Sequence, residues 1–333
     1  MPKTHAKNHP RIGLVLGGGG ETGVAYMAGV VAALHDATGW HANDAEIVVG
    51  TSAGSLVGTT IRVGVSPSDM HGRMVGAEIT PEGAALLSDD VLGKPGDSIP
   101  LSPELLNRPL LTAPELLTRA ATRPWGRSVK AAAAGVVPSG PMANTFVSDK
   151  VRKLAPHGWP PRDLWIVAVR MDEGKRTVFG NDSGPRADLP EAVAASCAIP
   201  GFFTPVQIDG IRYIDGGIYS ATNADLLAGR GLDLVIVCAP FSMSAAPTLK
   251  ADSLVRRYTR YSLMYEAARL RRRGTKNVMA FEPTPEVVKT IGVNIMDVKK
   301  RPVISAAARE AALAHLDDEA SAAARKILEL AGR

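Results

Sequence analysis

The sequence predicts an α/β fold, and two observations carry that prediction. Apolar runs at 12–16 and 47–49 have the length of strands, and each leads through a glycine-containing turn into a helical pattern. Further apolar runs of strand length follow at 163–170 and 232–239. A chain of 333 residues, 45% of them hydrophobic, can bury a large core in one extended α/β domain or in two domains.

The composition predicts a globular protein whose core is built from small aliphatic residues, because aromatic residues make up only 5% of the chain. Cys197 and Cys238 are too few for a disulfide framework and are expected to be buried free thiols. A formal net charge of +5 permits an anionic surface as partner but does not demand one. We predict no nucleic-acid partner, no metal site and no cofactor.

The N-terminal stretch Met1–Pro10 is basic and polar and lacks the apolar segment of a signal peptide. The longest apolar candidate, Val24–Leu34, is shorter than the roughly 18 uninterrupted apolar residues that a spanning helix needs. It is better explained as a core helix. We therefore expect a cytoplasmic protein, with peripheral membrane contact at most.

The first strand, Arg11–Leu16, runs directly into the glycine loop Gly17–Gly23 and then into a helix that reaches His35. Four consecutive glycines are costly to order. Backbone N–H groups of this loop are therefore expected to approach something closely, most plausibly an anionic group. A phosphate-binding Walker loop is excluded because no lysine follows Gly23.

Two uses of the glycine loop remain. Gly18, Gly20 and Gly23 match the dinucleotide-binding fingerprint, but the acidic residue of that motif would have to be Asp44 or Glu46, and both precede the second strand. The alternative is an oxyanion hole, in which the same amides stabilise the charge of a tetrahedral intermediate. A serine that follows the second strand favours the oxyanion hole.

That serine is Ser52, at the apex of a predicted strand, sharp turn and helix over 45–57. Gly50 and Gly54 flank it two residues away on each side, where a nucleophile elbow needs residues without Cβ. Ser52 is therefore a candidate nucleophile. The motif alone is equally compatible with a buried turn whose serine only caps a helix.

The region 80–141 contains many prolines and glycines and several pairs of leucines. So many breakers make a continuous sheet element unfavourable, and the apolar pairs predict a cap packed on other residues. The region is either a lid over the site or a structural insertion. The helix before it, 54–63, and a helix start at Ser66-Pro67 belong to the main domain.

After this region the sequence predicts strands at 163–170 and 175–179 and a helix at 189–195. Asp209-Gly210 lies between two alternating apolar runs, which is a strong signal for a hairpin. This hairpin ends at Asp215-Gly216-Gly217. Asp215 is a candidate site carboxylate, although an aspartate at a strand end is more often a turn former.

The C-terminal part of the chain is predicted to begin with an amphipathic helix at 253–273. Its tyrosines recur at helical spacing among six arginines: Arg256, Arg257, Arg260, Arg271, Arg272 and Arg273. The helix either presents a basic face to anionic lipid or packs on the domain as an ordinary solvated helix. An edge strand at 277–281 and closing helices over 306–330 follow.

Together these motifs resemble the patatin-like phospholipase family. The resemblance rests on the glycine loop, Gly50-Thr51-Ser52-Ala53-Gly54-Ser55, the segment 194–205 and Asp215-Gly216-Gly217, in that order between about residues 11 and 239. It implies a mostly parallel central sheet sandwiched by helices in three layers. It also implies a catalytic domain at 11–245 that contains the cap, and a helical extension at 246–333 packed on it.

The resemblance further implies a serine-aspartate dyad acting on lipid acyl esters without a cofactor. Ser52 would be the nucleophile and Asp215 its partner. The oxyanion hole would be formed by the amides of Gly18, Gly19 and Gly20. The supporting glycines would be Gly17, Gly23, Gly50, Gly54, Gly216 and Gly217.

One position departs from the family pattern. Similar proteins usually carry Arg or Lys just before the last glycine of the loop, where this chain has Thr22 with Glu21 beside it. Three function classes therefore remain open. They are a lipid acyl hydrolase, a Rossmann-like nucleotide binder, and a catalytically weak family member with a binding or regulatory role.

A dyad without histidine is chemically reasonable, because burial would raise the pKa of the aspartate and make it a better base. The rival is a Ser-His-Asp triad, which needs a histidine in a loop at a strand end. The histidines after Ser52 are His71, His157 and His315, and none has that context. The sequence therefore favours the dyad.

Overall fold

The structure, a computed structural model, describes residues 9–88, 140, 142–244 and 251–333. Its described residues form one eight-stranded sheet. The strands are β1 Ile12–Leu16, β2 Ile47–Thr51, β3 Asp163–Arg170, β4 Arg176–Phe179, β5 Val206–Ile208, β6 Ile211–Asp215, β7 Leu234–Cys238 and β8 Asn277–Phe281.

The sheet is mostly parallel, as the family resemblance implied. Strands β3, β2, β1, β7 and β8 lie side by side in that order and run parallel. Strands β4 and β6 pair antiparallel with β3, and β5 pairs antiparallel with β6 through the hairpin at Asp209-Gly210. Because the carboxyl ends of parallel strands meet at one edge, the loops after β1, β2 and β7 come together there.

Helices cover both faces of the sheet. They are α1 Gly20–Thr38, α2 Ala53–Arg62, α3 Pro67–Val75, α4 Pro81–Leu86, α5 Thr145–Leu154, α6 Leu189–Ser196, α7 Ala251–Arg272, α8 Pro285–Ile291, α9 Arg301–Asp317 and α10 Ala322–Ala331. Along β1, Leu14 and Leu16 contribute to the core under α1, and Val15 contributes to the core shared with Leu263 and Leu270 of α7. This alternation produces the three layers.

The C-terminal segment is part of the main fold. β8 pairs in register with β7 and forms the edge strand predicted at 277–281. Helix α9 packs along α1, where a Cβ on Gly29 would lie 2.2 Å from the Ser305 carbonyl oxygen. The closing helices are interrupted by a short 3-10 turn at 319–321. Residues 251–333 therefore contribute a strand to the sheet as well as helices.

Helix α7 forms where the sequence predicted it, but its tyrosines face solvent and one of its arginines faces inward. Tyr261 and Tyr265, expected on an apolar face, are 72% and 55% exposed. Arg256, expected on a basic face, is buried and donates to the carbonyl oxygens of Pro240 and Ser242, both at 3.0 Å. The inward side of the helix is made by Leu263, Leu270 and other residues that the tyrosine spacing did not indicate.

Three further expectations concern the remainder of the chain. Most of the predicted cap at 80–141 lies outside the described residues. Cys197 and Cys238 are free thiols, and burial raises the pKa of both. None of the helices in the described ranges combines the length and the apolar character needed to cross a bilayer.

Candidate active site

Ser52 lies at a strained turn between β2 and α2. Its φ of 53° is unusual for a residue with a side chain, and it places Ser52 at the apex expected of a nucleophile elbow. The flanking glycines allow the close approach: a Cβ on Gly54 would lie 1.9 Å from the Leu16 carbonyl oxygen, and one on Gly50 would lie 2.6 Å from the Cα of Ser55. The elbow thus depends on both glycines.

Two other serines hold this turn. The backbone N–H of Ser52 donates to the hydroxyl of Ser196 at 2.8 Å, and that hydroxyl donates to the Val167 carbonyl at 2.6 Å. The hydroxyl of Ser55 donates to the Ser52 carbonyl at 2.6 Å. The Ser52 backbone is therefore tied to α6 and β3, and sequence reasoning assigned no role to Ser196.

Asp215 ends β6 and is brought to Ser52 because β6 pairs with β3 beside β2. The side chain is buried, and its Oδ1 accepts from the Gly217 N–H at 2.7 Å. The Ser52 hydroxyl is within hydrogen-bonding reach of the same carboxylate. Burial raises the pKa of Asp215 from 3.8 to about 6, and the contacts with Ser52 and Gly217 limit the rise.

Gly216 and Gly217 follow the aspartate in a 3-10 turn against β3. A Cβ on Gly216 would lie 2.3 Å from the Val167 carbonyl oxygen, which explains why this position lacks a side chain. Val167 also receives the Ser196 hydroxyl. The end of β3 therefore supports both Ser52 and Asp215.

The glycine loop lies against the elbow, with the site of a Gly18 Cβ 3.4 Å from the Cβ of Ser52. The N–H of Gly17 donates to the Cys238 carbonyl at 2.9 Å, and that of Gly23 donates to the Gly19 carbonyl at 2.8 Å. The N–H of Gly18 donates to the Ala221 carbonyl at 2.8 Å. This last bond corrects the expectation that Gly18 donates to an oxyanion, because its hydrogen is already used.

Gly19 and Gly20 differ from Gly18. Within the described residues, neither amide donates to a protein acceptor. Gly20 begins α1 with a φ of +59°, so its conformation favours glycine. These two N–H groups, at the start of a helix beside Ser52, are placed to receive negative charge.

A mostly apolar pocket opens over Ser52. Its walls come from α1, α2 and α5, from the segment after α6 and from the C-terminal part of the chain. The side chains that line it include Val24, Leu56, Phe146, Val147, Ile199, Phe203 and Met296. Lys150 and Glu21 are its charged residues. The surface beside the Ser52 side chain is therefore mostly apolar.

The C-terminal segment completes the site, which sequence reasoning missed. The Thr22 N–H donates to the Ile295 carbonyl at 3.0 Å, and Met296 contributes to the pocket wall. Arg301, at the start of α9, forms a half-buried ion pair with Glu21. A guanidinium from α9 therefore lies beside the loop that has Thr22 in place of the family's basic residue.

The three histidines considered for a triad lie elsewhere. His71 contacts the Ser305 hydroxyl at 2.9 Å, and His315 lies against Phe281 and Asp318. None of them, nor His157, is among the residues that line the Ser52 pocket. In the ranges that the structure describes, His, Cys, Asp and Glu side chains also form no group of three that could hold a metal ion.

The comparison with protein families decides the classification. Residues 14–228, more than half of the chain, match the model of the patatin-like phospholipase family. The chain belongs to this family. The matched range begins in β1 and includes the glycine loop, Ser52 and Asp215, and it ends before β7.

Three solved structures are similar to this chain at low identity. VipD from Legionella pneumophila is 16% identical, with a TM-score of 0.42, over 94% of this chain and 67% of VipD. The type III effector protein ExoU is 15% identical, with a TM-score of 0.37, over 93% of this chain and 53% of ExoU. ExoU in its heterodimeric complex with SpcU from Pseudomonas aeruginosa is 20% identical, with a TM-score of 0.36, over 93% and 52%. The chain spans about half the length of the ExoU chains.

Proposed function

We propose that this patatin-like phospholipase is a serine hydrolase that cleaves carboxylic ester bonds of lipids through an acyl-enzyme. The observation that carries the proposal is the pairing of Ser52 and Asp215. A hydroxyl at a strained elbow faces a buried carboxylate whose pKa is raised to about 6, beneath a pocket with apolar walls. At neutral pH such a carboxylate is mostly ionised and is still more basic than an ordinary aspartate.

In the first half of the reaction, the Ser52 oxygen attacks the ester carbonyl carbon while the Asp215 carboxylate takes the serine proton. The tetrahedral intermediate collapses, the bond to the leaving alcohol breaks, and Asp215 returns the proton to that alcohol. In the second half, water attacks the acyl-enzyme with Asp215 as base. The acid leaves, and the proton returns to Ser52. The same intermediate would pass its acyl group to another alcohol if one replaced water.

Negative charge develops on the carbonyl oxygen in both halves. The amides of Gly19 and Gly20 are the proposed donors, and the Gly18 amide, bound to Ala221, is a structural part of the loop. Removal of one such donor typically costs on the order of 10² to 10³ in kcat. The ion pair between Arg301 of α9 and Glu21 of the loop ties the glycine loop to α9.

Two other function classes were open from the sequence. A nucleotide site would need the loop amides for pyrophosphate, but those of Gly18 and Thr22 are bound to the carbonyls of Ala221 and Ile295. A catalytically weak member was suggested by Thr22, whose hydroxyl donates to the Gly19 carbonyl at 3.1 Å. This bond stabilises the loop without a basic residue at that position, which supports the hydrolase.

The test is a panel of acyl esters, phospholipids and monoacyl lipids, assayed with the wild type and Ser52→Ala. We expect turnover and covalent labelling by a fluorophosphonate probe in the wild type only, with equal thermal stability. A Ser305→Ala variant serves as control, because this buried serine contacts His71 far from the pocket. Full turnover in folded Ser52→Ala protein would refute the proposal.

The second part of the proposal concerns the surface of the protein that contacts the lipid bilayer. On α7, Tyr261, Met264 and Tyr265 are exposed, and Arg257 and Arg272 lie on the same side of the helix. The one carboxylate of the helix in 255–272, Glu266, faces inward. Tyrosines with arginines and no acidic residue suit the interface of an anionic bilayer. The cytoplasmic location expected from the sequence stays a prediction.

Vesicle sedimentation measures this contact. We expect binding to anionic but not zwitterionic vesicles, weakened by salt, because each arginine contributes on the order of 1 kcal/mol near such a surface. Arg257→Gln with Arg272→Gln should weaken it. Arg162→Gln with Arg186→Gln removes two exposed charges outside α7, one just before β3 and one before α6, and should not. Equal binding of the two double variants would contradict this contact.

A further inference from the structure

The buried carboxylate of Glu266 lies outside the proposed dyad and accepts three hydrogen bonds. Glu266 projects from α7 into the protein and is 4% exposed. Its Oε1 accepts from the Ser220 hydroxyl at 2.6 Å. Its Oε2 accepts from the Thr222 hydroxyl at 2.6 Å and from the Ala224 N–H at 2.9 Å. A single side chain therefore fixes three residues of the loop 220–224.

This loop contacts the glycine loop directly. The Ala221 carbonyl, between two residues bound by Glu266, accepts the Gly18 N–H at 2.8 Å. Gly18 is followed by Gly19 and Gly20, whose amides are the proposed oxyanion donors. The position of the Ala221 carbonyl therefore fixes the backbone at Gly18, directly before the two proposed donors.

The same loop contacts the strand that carries the nucleophile. The Asn223 side chain donates to the Thr51 hydroxyl at 3.1 Å and to the Ser220 carbonyl at 2.6 Å. Asn223 adopts a φ of 56°, so its backbone is held in a left-handed conformation that needs support. Thr51 immediately precedes Ser52. Loop 220–224 therefore links α7 to both the glycine loop and the elbow.

We propose that Glu266 is a positioning residue, which holds loop 220–224 so that the oxyanion donors and Ser52 keep their relative placement. The inference rests on the proposed function. Glu266 touches neither Ser52 nor Asp215 in the structure, so its effect on the reaction is transmitted through Ala221 and Asn223. Displacement of reacting groups by about 1 Å can cost on the order of 10²-fold in rate.

The chain offers a closely matched control. Asp69 is also buried, and it also accepts two hydroxyls and one backbone N–H: the Ser66 hydroxyl at 2.7 Å, the Thr80 hydroxyl at 2.8 Å and the Thr80 N–H at 2.7 Å. It joins α3 to α4 and is not among the residues that line the Ser52 pocket. Asp69→Asn and Glu266→Gln therefore remove comparable bonds in different places.

The experiment compares these two variants with the wild type by ester hydrolysis, thermal unfolding and hydrogen exchange of the peptide that contains 17–23. We expect both variants to lose stability. Glu266→Gln should also lower kcat by about 10- to 100-fold with little change in KM, and it should speed exchange at the Gly18 amide. Asp69→Asn should leave kcat and this exchange unchanged.

Thr222→Val provides a second variant if Glu266→Gln folds poorly, since it removes one donor and keeps the side-chain shape. It should reproduce the change in kcat and in exchange at smaller size. If folded Glu266→Gln or Thr222→Val protein loses stability but keeps the wild-type kcat and the wild-type hydrogen exchange at Gly18, the positioning role is overturned. Absence of wild-type turnover and labelling would instead overturn the proposed function, while the exchange at Gly18 would still decide whether Glu266 holds the loop.

Discussion

Asp215 and Asp69 both expose little surface, 5% and 4%, yet Asp215 lies deeper in the protein and their surroundings prepare them for different tasks. Asp69 receives three donors, shared over both oxygens, and these hydrogen bonds hold its pKa below the usual value despite the opposing effect of burial. Asp215 has one backbone donor and the Ser52 hydroxyl, so burial prevails and its pKa rises to about 6.

The difference lies in depth as well as in hydrogen bonding. Asp215 is enclosed by protein, whereas Asp69 lies just beneath the surface, so the three donors to Asp69 have a smaller effect of burial to offset. Asp69 joins two helices, and its lowered pKa keeps it ionised. Asp215 retains an oxygen that faces a hydroxyl, and its raised pKa makes that oxygen able to accept a proton. A buried carboxylate is therefore a candidate base where hydrogen bonds are too few to offset burial.

The largest expected effect comes from replacing each aspartate by asparagine. Asp215→Asn should lower kcat by at least about 10², because the general base is lost. Asp69→Asn should leave kcat within a few-fold of the wild type, as should alanine at His71, His157 or His315. Steady-state kinetics on one soluble ester measures all five variants. A histidine variant as inactive as Asp215→Asn would replace the dyad with a triad.

The second effect is a pH dependence that belongs to Asp215 alone. Since its ionised form is the base, kcat/KM should fall about tenfold for each pH unit below an apparent pKa of about 6. The neighbouring Cys197 thiol has its pKa raised by burial and stays neutral over this range. The profile in Asp69→Asn should be the same as in the wild type. A flat profile between pH 5 and 8 in the wild type would contradict the assignment.

The smallest effect, a few kcal/mol in the free energy of unfolding, should have opposite signs at the two sites. Asp215 has a raised pKa, so the stability that it contributes is present below its unfolded pKa and is lost as pH rises through about 6. Asp215→Asn should therefore stabilise the fold at pH 8, by at most about 3 kcal/mol, and less at pH 4.

Asp69 has a lowered pKa, so its contribution is present above its unfolded pKa and is lost as pH falls. Asp69→Asn should destabilise the fold at pH 8, by about 1 to 3 kcal/mol. The negative charge is lost, and the oxygen that accepts from the Ser66 and Thr80 hydroxyls is replaced by an NH2 group. Urea unfolding at pH 4 and pH 8 measures both variants. Equal signs for the two at pH 8 would remove the distinction drawn between these carboxylates.

Much of the site could be predicted because its parts are short, continuous stretches. The elbow around Ser52 needs glycines at positions 50 and 54 for steric reasons. Because these positions are close in the chain, the motif can be recognised in the sequence. The glycine loop after β1 and Asp215 after the hairpin are likewise local, and the strands followed from apolar runs. Their parallel arrangement was implied by the family resemblance. The family resemblance supplied the pairing of Ser52 with Asp215, which lie 163 residues apart in the sequence.

Only the tertiary structure decided the contacts between distant segments. Ser196 under the elbow, Ile295 and Arg301 beside the glycine loop, and Glu266 behind loop 220–224 each meet the site through sheet pairing and helix packing, which no periodicity reports. Helix α7 shows the reason most directly. Its spacing predicted a helix, but tyrosines interspersed with arginines do not say which side of the helix is buried. Carbonyl acceptors at Pro240 and Ser242 allow Arg256 to be buried, and they are provided by a loop that only the folded sheet brings beneath the helix.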